Sequence, residues 1–412
     1  MHQQFPGEDP QHPQAPEPPE AAPAPQAAGQ SPAPTSPEQF PHHPQAPEQQ
    51  QYPQEPGQAQ PVWARPVAVR WVETEPLEYH QLLRGVPRYR WWKPLLGLVL
   101  GVIYYFTLSV LYSIAVMVPY MALTGFDFTD VDALTALALP DTQNPASILL
   151  TLGSVALMIP AALLAMLSVG LTPAKRLWSV ALRIRWRWIW RTVLPALVAL
   201  VVTNIVGIAL EIAFAGGVEA SDMAAEPIPG FSATAALWSL LLVVLLVPLQ
   251  ATAEELVFRG TFMQALGAWF GGVRGTGGLA AFLRGPWLPI SIPAIAFGFA
   301  HIYDIWGWMF VVMLVLVAGW LSWRTGGLEA AITLHVVNNL IALSLMASGV
   351  SGETAQTESG GGLGSVLGGA AGFALYAWWV DRDFKRRDGR RSRVDVVELR
   401  GAAPVAAPEQ LP

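Results

Sequence analysis

From residue 95 onward, apolar residues come in long unbroken blocks rather than in the three-and-four spacing of a water-soluble helix. The blocks fall at about 95–121, 148–171, 193–214, 233–249, 290–302, 306–323, 328–348 and 363–380. Most approach the roughly 20 residues that a membrane-spanning helix needs. The fifth is short and broken by Pro289 and Pro293. The pattern predicts an all-α polytopic membrane bundle of about eight transmembrane helices over 94–380. Residues 1–62 show no such pattern. They are rich in Pro, Gln and Ala and cannot bury enough apolar surface to offset the entropy of ordering, so they read as a disordered tail. No basic stretch followed by an apolar core occurs there, so the tail does not read as a signal peptide. Residues 63–93 turn basic and aromatic (Arg84, Arg88, Arg90, Trp91, Trp92, Lys93), as a chain does on its approach to a membrane. Residues 381–412 read as a second tail, basic and then disordered.

Charge orders the links between blocks. The link 124–146 holds Asp127, Asp130, Asp132 and Asp141 and no base. The link 175–191 holds six bases and no acid. The link 216–232 is acidic again, 349–362 carries Glu353 and Glu358 alone, and 381–393 holds seven bases. Under the positive-inside rule this alternation puts both termini in the cytoplasm of a multi-pass cell-membrane protein, with 124–146 facing outward. Composition agrees with a membrane chain: 52% hydrophobic and 13% charged residues, against roughly 25% charged in soluble domains. The net charge of −6 is no field for nucleic acid. Cysteine is absent, which excludes disulfides and thiolate metal sites. Five of the seven histidines (His2, His12, His42, His43, His80) lie in or just after the first tail, irregularly spaced, and read as solvated.

The fourth block runs into ATAEELVFRG, residues 251–260. A charge at the bilayer centre costs about 3 kcal/mol, so Glu254, Glu255 and Arg259 require compensation. Glu255 and Arg259 are four apart and share a helix face as an ion pair, while Glu254 points about 100° away. The remaining two histidines, His301 and His335, lie in apolar blocks, each with a partner four residues away: Phe297 before His301, Asn339 after His335. At 1.5 Å per residue, His301 lies about 17 Å along its block and His335 about 10 Å along its own. Taken alone, EExxxR also suits a helix end meeting water, and a single membrane histidine suits an interhelical contact. Three such motifs at compatible depths point to one shared site. A carboxylate, two imidazoles and an amide suffice for hydrolysis.

In that order on three apolar blocks, EELVFRG, FGFAH and HVVNN resemble the EExxxR, FxxxH and HxxxN motifs of the CAAX-protease and bacteriocin-processing (CPBP, or Abi) intramembrane proteases. That family is related to the type II CAAX prenyl endopeptidases. The resemblance covers about 233–348 and extends to the stretch 319–326 before His335. It implies an intramembrane endopeptidase acting on a peptide or membrane-protein substrate in the bilayer. Glu254 would activate water with help from His301, His335 and Asn339 would form the oxyanion hole, and Glu255 and Arg259 would orient the catalytic helix. No cofactor is required on this reading. Zinc remains possible through Glu254, His301 and His335, which would make the enzyme a metalloendopeptidase without an HExxH. The alternative is a scaffold or bacteriocin-immunity-type protein that keeps the fold without cleavage. Glu211, Asp304 and Glu329 are read as interface anchors without catalytic work. The link 260–289 and the first tail lie outside the family pattern.

Overall fold

The computed structural model describes residues 69–127, 129–214, 228–350, 352–387 and 389–400, and side chains between 71 and 397. The predicted tail over 1–62, most of the acidic link 216–232 and residues 401–412 therefore lie outside the described residues. Helix α1 spans Trp92–Thr124 and a short α2 spans Val131–Ala138. Helix α3 (Pro145–Ala156) runs into α4 (Met158–Ser168), and α5 covers Trp186–Phe214. Helix α6 (Ala233–Glu255) continues through a π-helical turn (Leu256–Phe262) into α7 (Met263–Phe270). There follow α8 (Gly278–Arg284), α9 (Trp287–Phe299), α10 (Ile305–Thr325), α11 (Glu329–Ser348) and α12 (Leu363–Lys385). Among the described residues seven helices are long and apolar enough to cross a membrane, and the pair α8–α9, bent by 51°, makes up to eight if it counts as one span.

Apolar side chains point outward on these helices, as lipid requires. Val102, Phe106 and Val110 of α1 and Val201, Ile205 and Ile208 of α5 are exposed. Backbone groups in such a setting must bond within their own helix. Contact between helices rests on close packing, because lipid is as apolar as the side chains. The seam between α5 and α12 shows how. Gly364, Gly368 and Gly372 recur every fourth residue on α12 and meet α5 around Ala199, Thr203 and Gly207. A Cβ at Gly368 would collide with the Thr203 carbonyl, so a larger residue would push the two helices apart. Thr192 and Thr333 join their hydroxyls at 2.9 Å and set α5 in register beside α11.

The links gather at two ends of the bundle, sorted by charge. At the basic end, β1 (Val69–Glu73) pairs antiparallel with β4 (Val396–Arg400), and β2 (Leu77–Glu78) with β3 (Ser392–Arg393). A 3-10 turn over Tyr79–Gly85 buries Tyr79, Leu82 and Leu83. Arg176 binds Asp395 through two nitrogens at 2.6 and 3.0 Å and donates to the carbonyls of Leu82 (3.3 Å) and Gly85 (2.9 Å). At the acidic end, Thr142 N donates to Thr354 O (2.7 Å), Gln356 N to Pro140 O (2.9 Å), and Asp304 N to Glu358 O (2.8 Å).

Four sequence expectations change. The fourth helix does not end at Arg259 but continues to Phe270, and the link 260–289 is largely helical rather than a loop. The 3-10 turn explains this, since it packs on α7 so closely that a Cβ at Gly267 would strike the His80 carbonyl. His80 is consequently buried, its Nε2 3.3 Å from Arg284 O, and not solvated. Residues 392–393 and 396–400 form strands, because the segment before α1 supplies their partners. Glu329 is more than an anchor: it is buried and grips Arg185 through both oxygens at 2.9 and 2.6 Å.

Candidate active site

The site begins with the way α6 ends. A regular α-helix would carry its turn unchanged from Glu254 to Arg259, but Leu256–Phe262 is wound as a π turn. Such insertions are rare and recur at functional sites. Here the turn keeps Glu255 and Arg259 on one face, with Arg259 Nε 3.3 Å from Glu255 Oε2, close in distance though not aligned as a hydrogen bond. The guanidinium also reaches the Val315 carbonyl of α10 at 3.4 Å and lies 5.1 Å above the Phe297 ring. Both Glu255 and Arg259 are buried. The membrane cost of these charges is thus offset by one another, by a carbonyl and by a ring face.

His335 stands between the two glutamates. Its Nδ1 lies 2.8 Å from Glu255 Oε1 and its Nε2 3.4 Å from Glu254 Oε2. The 100° separation of the two glutamates on α6 is therefore bridged by a single ring from α11. With Nδ1–H donated to Glu255, Nε2 presents a lone pair in the neutral ring and a proton only in the imidazolium. Glu254 has a second partner that sequence reading missed. Gln250 donates to Glu254 Oε2 at 2.5 Å, and its carbonyl accepts from Asn339 Nδ2 at 3.1 Å. Asn338 in turn donates to Asn339 Oδ1 at 3.1 Å. The available signal was positional: Gln250 lies four residues before Glu254, a lone amide on the same face of an apolar helix.

His301 reaches the site from the far side of Phe297. Its Nδ1 lies 2.8 Å from the Phe297 carbonyl, which can only accept, so Nε2 is left with its lone pair. Its ring stacks on Tyr303 with centroids 5.8 Å apart, and Phe297 meets the rings of both His301 (4.6 Å) and His335 (5.8 Å). A cavity of about 870 Å³ joins these groups: Gln250, Glu254, His301, His335 and Asn339 all line it. Glu255 and Arg259 do not; they stand behind His335. The structure thus brings together all six residues singled out from the sequence, four on the cavity and two supporting it. Among the described residues, no three His, Cys, Asp or Glu side chains are grouped closely enough to hold a metal ion, so Glu254, His301 and His335 do not form a ready zinc site as they stand.

Residues 234–341 match the family described as type II CAAX prenyl endopeptidase Rce1-like. This segment is similar to the Rce1-like family, in agreement with the motifs read from the sequence. The match runs from α6 to α11 and contains every motif residue. At the level of family, this similarity supports a CAAX-type intramembrane protease, and the apolar helices support a multi-pass membrane protein. No curated protein and no solved structure matches the chain significantly. Glu211, Arg176 and Asp395 lie outside the matched segment.

Proposed function

We propose that Glu254 activates water for peptide hydrolysis inside the bilayer. The observation that carries this reading is the asymmetry of the two glutamates. Glu255 is wholly buried and committed to Arg259 and His335. Glu254 lines the cavity, where a water and a peptide carbonyl can meet it. His301, with its free Nε2 lone pair, accepts one hydrogen of that water while Glu254 removes the other. The hydroxide adds to the carbonyl carbon, and the carbonyl electrons move onto oxygen. Asn339 keeps one amide hydrogen on Gln250 and has a second to donate to that oxyanion; His335 Nε2 donates to it when its ring holds both protons. Glu254 then returns its proton to the departing nitrogen as the oxyanion electrons re-form the carbonyl and the C–N bond breaks, leaving a carboxylic acid and an amine. Glu255 and Arg259 hold the His335 ring and the π turn in place. The substrate is a peptide or membrane protein presented in the bilayer, and the basic end with both termini faces the cytoplasm. No step in this scheme runs through a metal.

The test is cleavage by the purified full chain in lipid vesicles, wild type beside Glu254→Ala, with released peptides identified by mass spectrometry and the assay repeated in a strong chelator. The expected result is product from wild type only, undiminished by chelation. Chelator inactivation that zinc reverses would replace the water-only scheme with a Glu254–His301–His335 metal site. Equal product from both proteins would reject Glu254 as the base.

A further inference from the structure

The cavity does not end at the motif residues. It extends to the acidic end of the bundle, where Pro140, Gln356 and Gly360 line it, and on the α5 side it is lined by Glu211. Among the described residues, Glu211 and Glu254 are its carboxylates, and no Lys, Arg or Asp lines it. One Glu211 oxygen, Oε1, accepts from Ser365 N at 3.1 Å in the first turn of α12. Its other oxygen has no hydrogen-bond partner among the described residues. Around the mouth, the links 124–146 and 349–362 carry acids and no bases. A cleft lined by one sign of charge between low-dielectric walls concentrates the opposite sign.

We propose that Glu211 is an anionic subsite for a basic side chain or free amino group of the substrate, which enters from the acidic end. This rests on the protease reading above. The register between helices gives the distance. Thr192 of α5 is level with Thr333 of α11, two residues before His335. Glu211 lies nineteen residues beyond Thr192, so at 1.5 Å per residue it stands about 25 Å further along the bundle than His335. An extended peptide advances about 3.3 Å per residue. The cationic group therefore falls about seven or eight residues from the cleaved bond. Thr203 and Asn204 of α5 and Asn338 of α11 line the intervening length and offer polar contacts to a passing backbone. A carboxylate so placed costs energy in an apolar wall unless it meets a partner, and the first turn of α12 engages only half of it.

Glu211→Gln isolates the charge, since the amide oxygen can still accept from Ser365. The probes are apolar peptides of about a dozen residues in which one lysine, or glutamine in its place, is walked along the chain. Two readouts are taken on the full chain in detergent: kcat/KM with the cleaved bond located by mass spectrometry, and affinity of the same peptides for the Glu254→Gln protein. Lysine seven or eight residues from the bond is expected to raise kcat/KM and affinity at least tenfold over glutamine. Glu211→Gln should collapse that ratio, and Glu211→Lys should transfer the preference to peptides carrying glutamate. A lysine preference that survives Glu211→Gln, or lysine and glutamine peptides weakened equally, would overturn the subsite and leave Glu211 as a cap for α12. The two claims separate cleanly. Glu211-dependent binding without any cleavage would keep the subsite and sink the protease. Glu254-dependent cleavage blind to lysine would do the reverse.

Discussion

Two buried ion networks can be compared in this molecule, one within the membrane helices and one at the basic end. Arg176 at the basic end meets both oxygens of Asp395 and two carbonyls, and Arg393 adds a third bond to Asp395 at 2.7 Å. Every acceptor is met from within the protein, and the network ties three distant stretches of chain together. In the membrane network, Glu255 is likewise enclosed, paired by charge with Arg259 and hydrogen-bonded to His335. This network differs at one point: Glu254 is held through Oε2 by Gln250 and His335 and lines an open cavity. A closed network holds a fold, whereas one with a reactive group on open space can also do chemistry. Gln250 and Glu255 do for Glu254 and His335 what Arg393 and the carbonyls do for Arg176 and Asp395: they fix orientation.

The comparison can be broken by removing one arginine from each network. Arg259→Ala leaves Glu255 charged and unpartnered between helices, where breaking a buried pair costs about 3–5 kcal/mol. Its melting temperature in detergent and its turnover should both fall. Arg176→Ala should lower the melting temperature and loosen 69–93 and 392–400 to hydrogen exchange, while cleavage at a temperature where it remains folded persists. Asn339→Ala sharpens the contrast from the other side. It removes an oxyanion donor, so single-turnover cleavage should slow about 100- to 1000-fold with little change in melting.

The smallest effect is expected from acid. Burial raises the Asp395 pKa, but the hydrogen bonds and charges of Arg176 and Arg393 outweigh it and hold the carboxyl below its usual range. A group depressed in the folded state contributes stability that is fully present above its unfolded pKa. That stability is lost as pH falls through the folded value. Melting curves taken from neutral pH down into the carboxylate range should therefore show a loss in wild type that Asp395→Asn, already lacking the charge, does not repeat.

Much of this was legible in the residues. Long apolar blocks gave the spans because lipid imposes a length, and loop charge sorted the links into two ends that the structure keeps. The six motif residues stood out because polar groups in an apolar block demand a partner. Other features were hidden for physical reasons. The extension of α6 into α7 depends on burial beneath the 79–85 turn, a contact between residues nearly two hundred apart in sequence. The burial of His80 and the grip of Glu329 on Arg185 have the same cause. Gln250 was overlooked because an amide costs less in a helix than a charge does, and only its contacts to Glu254 and Asn339 show its place.

The proposed division of labour between the adjacent glutamates is tested most directly by one paired measurement. Glu254→Gln and Glu255→Gln are each assayed for single-turnover cleavage and for melting in detergent. Glu254→Gln should cost about 10⁴-fold in rate, the upper range for loss of a general base, and melt near wild type. Glu255→Gln should lower the melting temperature, because Arg259 and His335 lose their common partner, with activity falling as a consequence. An active Glu254→Gln beside a fully stable but inactive Glu255→Gln would contradict the account and exchange the two roles.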